Sequence, residues 1–266
     1  MIPSNHPSVS ATAPSGQRLL IKVCGMRDTD NIREVAQLDI DLMGFIFWPG
    51  TKRCVKMISS KAGILPDYSE ERFRRANQSE QSKQKGKCEQ ADQGEQTANQ
   101  RPRAIQRVGV FVDEMPQTIL TAIYNYQLQY VQLHGQESPV MIDNLKRTLI
   151  PDIAPDIKVI KAISIASKDD VARYKDYEGL VDLFLFDTRC PMVGGSGRQF
   201  DWDVLTAYDG HTPFLLSGGI GPDDAERIRQ FSHPMLAGID LNSRFETEPG
   251  RKDVERLRTF ISQVRA

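Results

Sequence analysis

Short apolar runs recur along the whole chain, and nearly every one is followed by a segment with the periodicity of an amphipathic helix. The runs are "LLIKVCG", "LMGFIFW", "RVGVFVD", "YVQLHG", "KVIKAIS", "LFLFDT", "FLLSGGI" and "MLAGIDL". They are near-continuous in Val, Ile, Leu and Phe rather than strictly alternating, as strands buried on both faces are. Between them, "DTDNIREVAQL" places Ile32, Val35 and Ala36 at helical spacing, and "MPQTILTAIYNY" lets Pro116 open a helix whose apolar face is Ile119, Leu120 and Ile123. The last segment, "GRKDVERLRTFISQVRA", aligns Val254, Leu257, Phe260 and Ile261 on one stripe. Buried strands alternating with amphipathic helices predict an α/β fold with a parallel sheet covered by helices. Eight such repeats in about 250 residues have the size of a closed (β/α)8 barrel forming a single domain.

Two stretches break the pattern. Residues 1–17 lack both a basic start and an apolar core, so they read as a disordered lead-in rather than a secretory signal, with the barrel domain occupying 18–266. At about 66–103 the chain reads "PDYSEERFRRANQSEQSKQKGKCEQADQGEQTANQRP" from Pro66 to Pro102, rich in Gln, Glu, Lys and Ser and poor in apolar residues. That composition predicts a disordered, low-complexity polar insertion between the second and third repeats.

Charge narrows the function classes. Lys plus Arg number 34 and Asp plus Glu 35, a net charge of −1, so nothing global favours nucleic acid or an anionic membrane and any anion site must be local. No apolar run reaches membrane-spanning length. The four cysteines, Cys24, Cys54, Cys88 and Cys190, have neither metal-type spacing nor disulfide-scaffold density, which points to a reducing cytoplasm.

Barrel enzymes carry their chemistry at the carboxyl ends of the strands. Those ends present Cys24 after the first strand, Arg53 in the loop after the second, His134 after the fourth, Asp187 after the sixth and Asp240 in the eighth. In "RLLIKVCGM", alternation puts Leu20, Lys22 and Cys24 on one face, so a lysine lies one pleat below a thiol. Singly, each residue has a plain structural explanation, since most unpaired cysteines are small buried hydrophobes. Together, a thiol and a carboxylate facing one barrel mouth form an acid/base pair. Glycine-bearing loops follow strands six and seven, "VGGSGRQFDW" and "SGGIGPDD", and "DLNSRFE" follows strand eight. Their backbone N–H groups suit an oxygen-rich ligand in the sector where barrels bind phosphate, so a phosphorylated substrate is expected.

The strings "KVCG", "GFIFWPGTKRCV", "VGVFVD", "VQLHG", "LFDT…GGSGRQFDW", "LSGGI" and "GIDLNSRFE…PGRKD" resemble, in order, those of the phosphoribosylanthranilate isomerase family, a TIM barrel of tryptophan biosynthesis. The resemblance spans roughly residues 19–264. It implies an Amadori rearrangement of N-(5-phosphoribosyl)anthranilate to the 1-deoxyribulose 5-phosphate derivative, with no cofactor and no metal. By the same resemblance Asp187 is the general acid and Cys24 the general base; Lys22, on the same face one pleat below, is placed to favour the thiolate. Arg53 is expected to grip the anthranilate carboxylate, and His134 and Asp240 to position the sugar. The phosphate is expected over Gly195, Ser196 and Gly197, over Gly218 and Gly219, and over Asn242 and Ser243.

The sequence departs from the family at Arg244, where a glycine is common, and in the polar insertion. The alternatives are the related aminoaldose isomerase of histidine biosynthesis, which uses two aspartates and is disfavoured by Cys24, and a catalytically inactive barrel that only binds phosphoribosyl ligands. Association with other tryptophan-pathway enzymes and the oligomeric state are left open by the sequence.

Overall fold

The computed structural model describes residues 18–55, 104–151, 153–188 and 202–266. The lead-in, the insertion, Cys88, Cys190 and the Gly195–Gly197 loop lie outside the described residues. Each apolar run forms a strand: β1 Leu20–Val23, β2 Leu42–Ile46, β3 Gln106–Phe111, β4 Tyr130–Leu133, β5 Lys158–Ile165, β6 Leu183–Thr188, β7 Phe214–Ser217 and β8 Leu236–Leu241. Every neighbouring pair is parallel, and β8 returns to β1 with Lys22 opposite Asp240, so the sheet closes into an eight-stranded barrel.

The connections include α1 Thr29–Val35, α2 Pro116–Tyr126, α3 Pro139–Leu149, α4 Lys168–Val171, α5 Ala225–Gln230 and α6 Val254–Arg265. Their starts are chemically marked. The Asp28, Ser138 and Asp253 side chains accept from the N–H of Asn31, Met141 and Arg256, satisfying donors that the first helical turn leaves unpaired. Where the helical pattern is weakest the chain adopts 3-10 turns instead: Ala172–Asp176 continues the single turn of α4, and Trp202–Ala207 precedes β7. Beyond β8 a small antiparallel pair, β9 Glu246–Glu248 and β10 Arg251–Lys252, leads into α6. Among the described residues no helix is long and apolar enough to cross a membrane.

Strand alternation sorts the side chains into two cores. Outward-facing residues such as Val23, Phe45, Val131, Phe184, Phe186 and Leu216 pack beneath the helices, whose stripes include Leu257, Phe260 and Ile261 of α6. Burying each of those large side chains stabilises the shell by roughly 1.5–3 kcal/mol. Inward-facing Leu42, Val108, Tyr130, Ile160, Ala162, Leu183, Leu185 and Leu215 form a separate apolar plug inside the barrel. Toward the strand carboxyl ends the inward positions turn polar: Lys22, Gln132, Ser217 and Asp240 are buried there. The plug is thus the floor of a polar mouth.

Candidate active site

Cys24 is 3% exposed and is pinned by backbone bonds on both sides: its N–H donates to Leu241 O at 2.9 Å, and the Met26 N–H donates to Gly44 O at 3.0 Å. Glycine is required twice here. A Cβ on Gly44, facing inward from β2, would lie 2.7 Å from the Cys24 Sγ. Gly25 has φ +79°, and a Cβ there would lie 2.8 Å from Asn242 Oδ1 and 2.9 Å from Arg53 Cδ. The "CG" pair therefore seats a thiol and then turns the chain out of the barrel through a gap with no room for a side chain.

Beneath the thiol, the fully buried Lys22 ammonium donates to Asp240 Oδ1 at 2.8 Å, and Asp240 Oδ2 accepts from Ser217 Oγ at 3.0 Å. Burial pushes the Cys24 thiol above its ordinary value; Lys22 and Lys252 pull it back, while the Asp240 charge pushes it further up. Lys22 itself is held above its ordinary value: burial works against its charge, but Asp240 and the thiol outweigh it. The charge of Lys22 favours the thiolate, but burial and Asp240 prevail. Lys22 lies under the cavity rather than on its wall.

On the other side of the mouth, Asp187 Oδ2 lies 3.6 Å from His134 Nε2. His134 Nδ1 is 2.8 Å from the carboxamide nitrogen of Gln132, which fixes the ring's orientation. Gln132 is 1% exposed, and among the described residues its Oε1 has no hydrogen-bond partner although it borders the cavity. Cys24, Gln132, His134, Asp187, Ser217 and Asp240 share the wall of one cavity of about 240 Å³ with Gly218, Gly219, Asn242, Ser243 and Arg244. Gly218 and Gly219 have φ +94° and +68°, backbone that favours glycine, where β7 ends. Among the described residues no three His, Cys, Asp or Glu side chains converge closely enough to hold a metal ion.

Arg53 does not line this cavity. Its Nε donates to Glu246 Oε1 at 2.9 Å and Oε2 at 3.0 Å, and its Nη2 donates to Oε2 at 2.6 Å. Glu246 Oε1 also accepts from Lys252 Nζ at 2.7 Å and the Gly250 N–H at 3.2 Å. Burial disfavours the Glu246 charge, but its bonds to Arg53 and Lys252 prevail and hold the carboxyl below its usual range. Lys252 Nζ reaches on to Asn242 Oδ1 at 2.9 Å, joining this cluster to the loop after β8.

The fold brings Cys24, Asp187, His134, Asp240, Gly218, Gly219, Asn242 and Ser243 to one cavity, sets Lys22 beneath it, and places Arg53 at its flank. Sequence reasoning missed Gln132, Glu246 and Lys252. Alternation in "YVQLH" put Gln132 on the His134 face, so that signal was present. Glu246 and Lys252 lie inside the string "GIDLNSRFE…PGRKD", but nothing local in it shows that Glu246 meets Arg53.

This geometry can be set beside known proteins. Residues 68–263 match the family described as N-(5'phosphoribosyl)anthranilate (PRA) isomerase. The chain is 44% identical over 246 residues to N-(5'-phosphoribosyl)anthranilate isomerase of Parabacteroides distasonis, covering 92% of this chain and 93% of that protein. The phosphoribosyl anthranilate isomerase structure from Thermotoga maritima superposes with TM-score 0.62 at 29% identity, covering 93% of this chain and 98% of that one. A phosphoribosyl anthranilate isomerase crystallised with reduced 1-(o-carboxyphenylamino)-1-deoxyribulose 5-phosphate gives TM-score 0.61 at 26% identity, with the same coverage of 93% and 98%. A closed barrel, a mouth built on the expected strand ends and a match along most of the chain agree: this chain belongs to the phosphoribosylanthranilate isomerase family.

Proposed function

We propose that the chain converts N-(5-phosphoribosyl)anthranilate to 1-(2-carboxyphenylamino)-1-deoxyribulose 5-phosphate, with Asp187 as general acid and Cys24 as general base. The observation that carries the reading is that the thiol and the carboxylate, on different strands, border one 240 Å³ cavity. Asp187 donates a proton to the furanose ring oxygen as the C1′–O bond breaks and the anthranilate nitrogen supplies the electron pair, giving an open-chain iminium. Cys24, as thiolate, removes the C2′ proton, and those electrons neutralise the iminium to give an enolamine. Loss of the 2′-hydroxyl proton and gain of one at C1′ complete the ketone, so protons balance and no redox partner is needed.

The surroundings of each residue bear on its task. Because burial raises the Cys24 thiol, the thiolate is a minor species at neutral pH, and the cations of Lys22 and Lys252 are the groups placed to stabilise it. The 3.6 Å approach of His134 to Asp187 fits a group that steers the acid, and the Gln132 amide holds that imidazole in place. The substrate phosphate is assigned to the backbone of Gly218, Gly219, Asn242 and Ser243, together with the Gly195–Gly197 loop. Arg244 stands at the same wall, where a guanidinium adds charge that a glycine would not. Arg53 is assigned to the anthranilate carboxylate. A phosphorylated small molecule is thus the ligand, and a reducing cytoplasm is the setting that free thiols suit.

A fluorescence assay of the purified protein tests the reading directly. Loss of phosphoribosylanthranilate emission should follow addition of protein and should depend on both Cys24 and Asp187. No loss at micromolar protein would sink the proposal in favour of a ligand-binding barrel.

A further inference from the structure

Glu246 and Lys252 have buried, charged side chains outside the acid/base pair, yet each touches a residue to which substrate binding is assigned, Glu246 touching Arg53 and Lys252 touching Asn242. The Glu246 side chain is 4% exposed and that of Lys252 is fully buried, and burying charges this deeply is costly unless the ions pair closely. A guanidinium has two edges that can meet a carboxylate in parallel: Nε with Nη2, and Nη1 with Nη2. Glu246 occupies the first. Among the described residues nothing bonds to Nη1.

We infer that Glu246 is a positioning residue for substrate binding: its carboxylate, anchored by Lys252 and the Gly250 N–H, clamps the Nε/Nη2 edge of Arg53 and leaves the Nη1/Nη2 edge to receive the carboxylate of the substrate. The inference rests on the assignment of Arg53 to that carboxylate. It also accounts for the position of Arg53 off the cavity wall, because the clamp holds its side chain at the flank, with Cδ against Gly25, the residue after the thiol. The low titration of Glu246 keeps the clamp charged throughout the neutral range. Preorganisation of this kind removes the cost of ordering a long side chain at the moment of binding.

The test is a comparison of two substrates in three variants. The substrates are phosphoribosylanthranilate and its aniline analogue, in which hydrogen replaces the carboxylate. The variants are Arg53→Ala, Glu246→Gln and the two combined. Glu246→Gln should raise KM for the carboxylate-bearing substrate by about tenfold or more, the loss expected for misaligning a charge-assisted bond, while any change in kcat transmitted through Lys252 to the thiol should be the same on both substrates. On the aniline analogue the same variant should leave KM unchanged, and the KM of the double variant for the carboxylate-bearing substrate should be no higher than that of Arg53→Ala.

If Arg53→Ala costs the same on both substrates, the assignment of Arg53 fails and the inference with it. If Arg53→Ala is selective for the carboxylate but Glu246→Gln is not, Arg53 keeps its assignment and the inference about Glu246 is overturned. Should Glu246→Gln prevent folding, Glu246→Asp keeps the charge but withdraws it by one methylene. A KM penalty confined to the carboxylate-bearing substrate then supports the clamp, and an equal penalty on both substrates overturns it.

Discussion

Two buried lysine–carboxylate pairs of almost the same length occupy opposite sides of the barrel wall. Lys161 points outward from β5 and meets Glu137 at 2.9 Å beneath the helical shell; Lys22 points inward from β1 and meets Asp240 at 2.8 Å beneath the cavity. The outer pair is a closed set. Lys161 also donates to Gly135 O at 2.8 Å and lies over the Tyr177 ring, while Glu137 accepts from the N–H groups of Asp113 and Gly135. The inner pair is open at one end: its ammonium also faces the Cys24 thiol, whose ionisation it affects. Nearly equal distance and similar burial thus serve different ends. A pair whose remaining donors and acceptors are used up by backbone ties a loop down, whereas a pair with one edge turned to a titratable group tunes that group.

The largest expected effect separates chemistry from architecture. Cys24→Ser replaces the base with a hydroxyl that hardly ionises and should lower kcat by about a thousandfold or more, within the range general-base removal commonly costs. The unfolding midpoint should stay close to wild type, because the substitution is nearly isosteric. Retention of wild-type turnover would return the thiol to a purely structural role.

Next come the two lysines. Lys161→Met should lower stability by about 3–5 kcal/mol by leaving Glu137 buried and uncompensated, with kcat per folded molecule nearly unchanged. Lys22→Met should cost a similar amount of stability and also reduce kcat, because the thiolate loses its nearest cation. Urea unfolding and active-site titration of the two variants, run side by side, check the contrast. Equal losses of activity in both would erase the distinction drawn above.

A smaller effect is expected from Gly44→Ala. The added methyl would meet Cys24 Sγ at 2.7 Å and Cα at 3.1 Å, so the thiol must shift, at a cost of about 1–3 kcal/mol typical of overpacking. The expected result is a lower kcat with KM largely kept, read by steady-state kinetics beside a melting curve.

How much of this was legible in sequence follows from the range of the interactions. The eight strands and the inward face of Lys22 and Cys24 come from local periodicity, which "RLLIKVCGM" and "LFLFDT" display plainly. The weak helical segment after β6 gave no comparable signal, and among the described residues it forms a 3-10 turn at Trp202–Ala207. The clamp on Arg53 was hidden for a different reason. Its partner Glu246 is 193 positions away, and only closure of the barrel brings β9 and β10 over the loop after β2. Burial of Lys252 also depends on Asn31 of α1, whose side chain bonds both its N–H and its carbonyl.

The subtlest expected effect concerns the open end of the inner pair. Asp240 pushes the Cys24 thiol up and also holds Lys22 in its charged form. Asp240→Asn removes a negative charge near the thiol while keeping nearly the same shape, and it leaves the Lys22 ammonium buried without its carboxylate. The thiolate is then the group best placed to balance that ammonium, so the thiol should ionise at lower pH than in wild type. If Lys22 instead lost its proton, the thiol would lose the cation that lowers it most, and its ionisation would move to higher pH. The two outcomes have opposite signs. The rate of Cys24 alkylation by iodoacetamide against pH, in a background with the other three cysteines replaced by serine, reads that sign without relying on catalysis. A shift to lower pH, matched by the thiol limb of kcat/KM, is the expected result. A shift upward would mean that Asp240 acts chiefly by keeping Lys22 protonated, and that the inner pair, like the outer one, must remain intact to do its work.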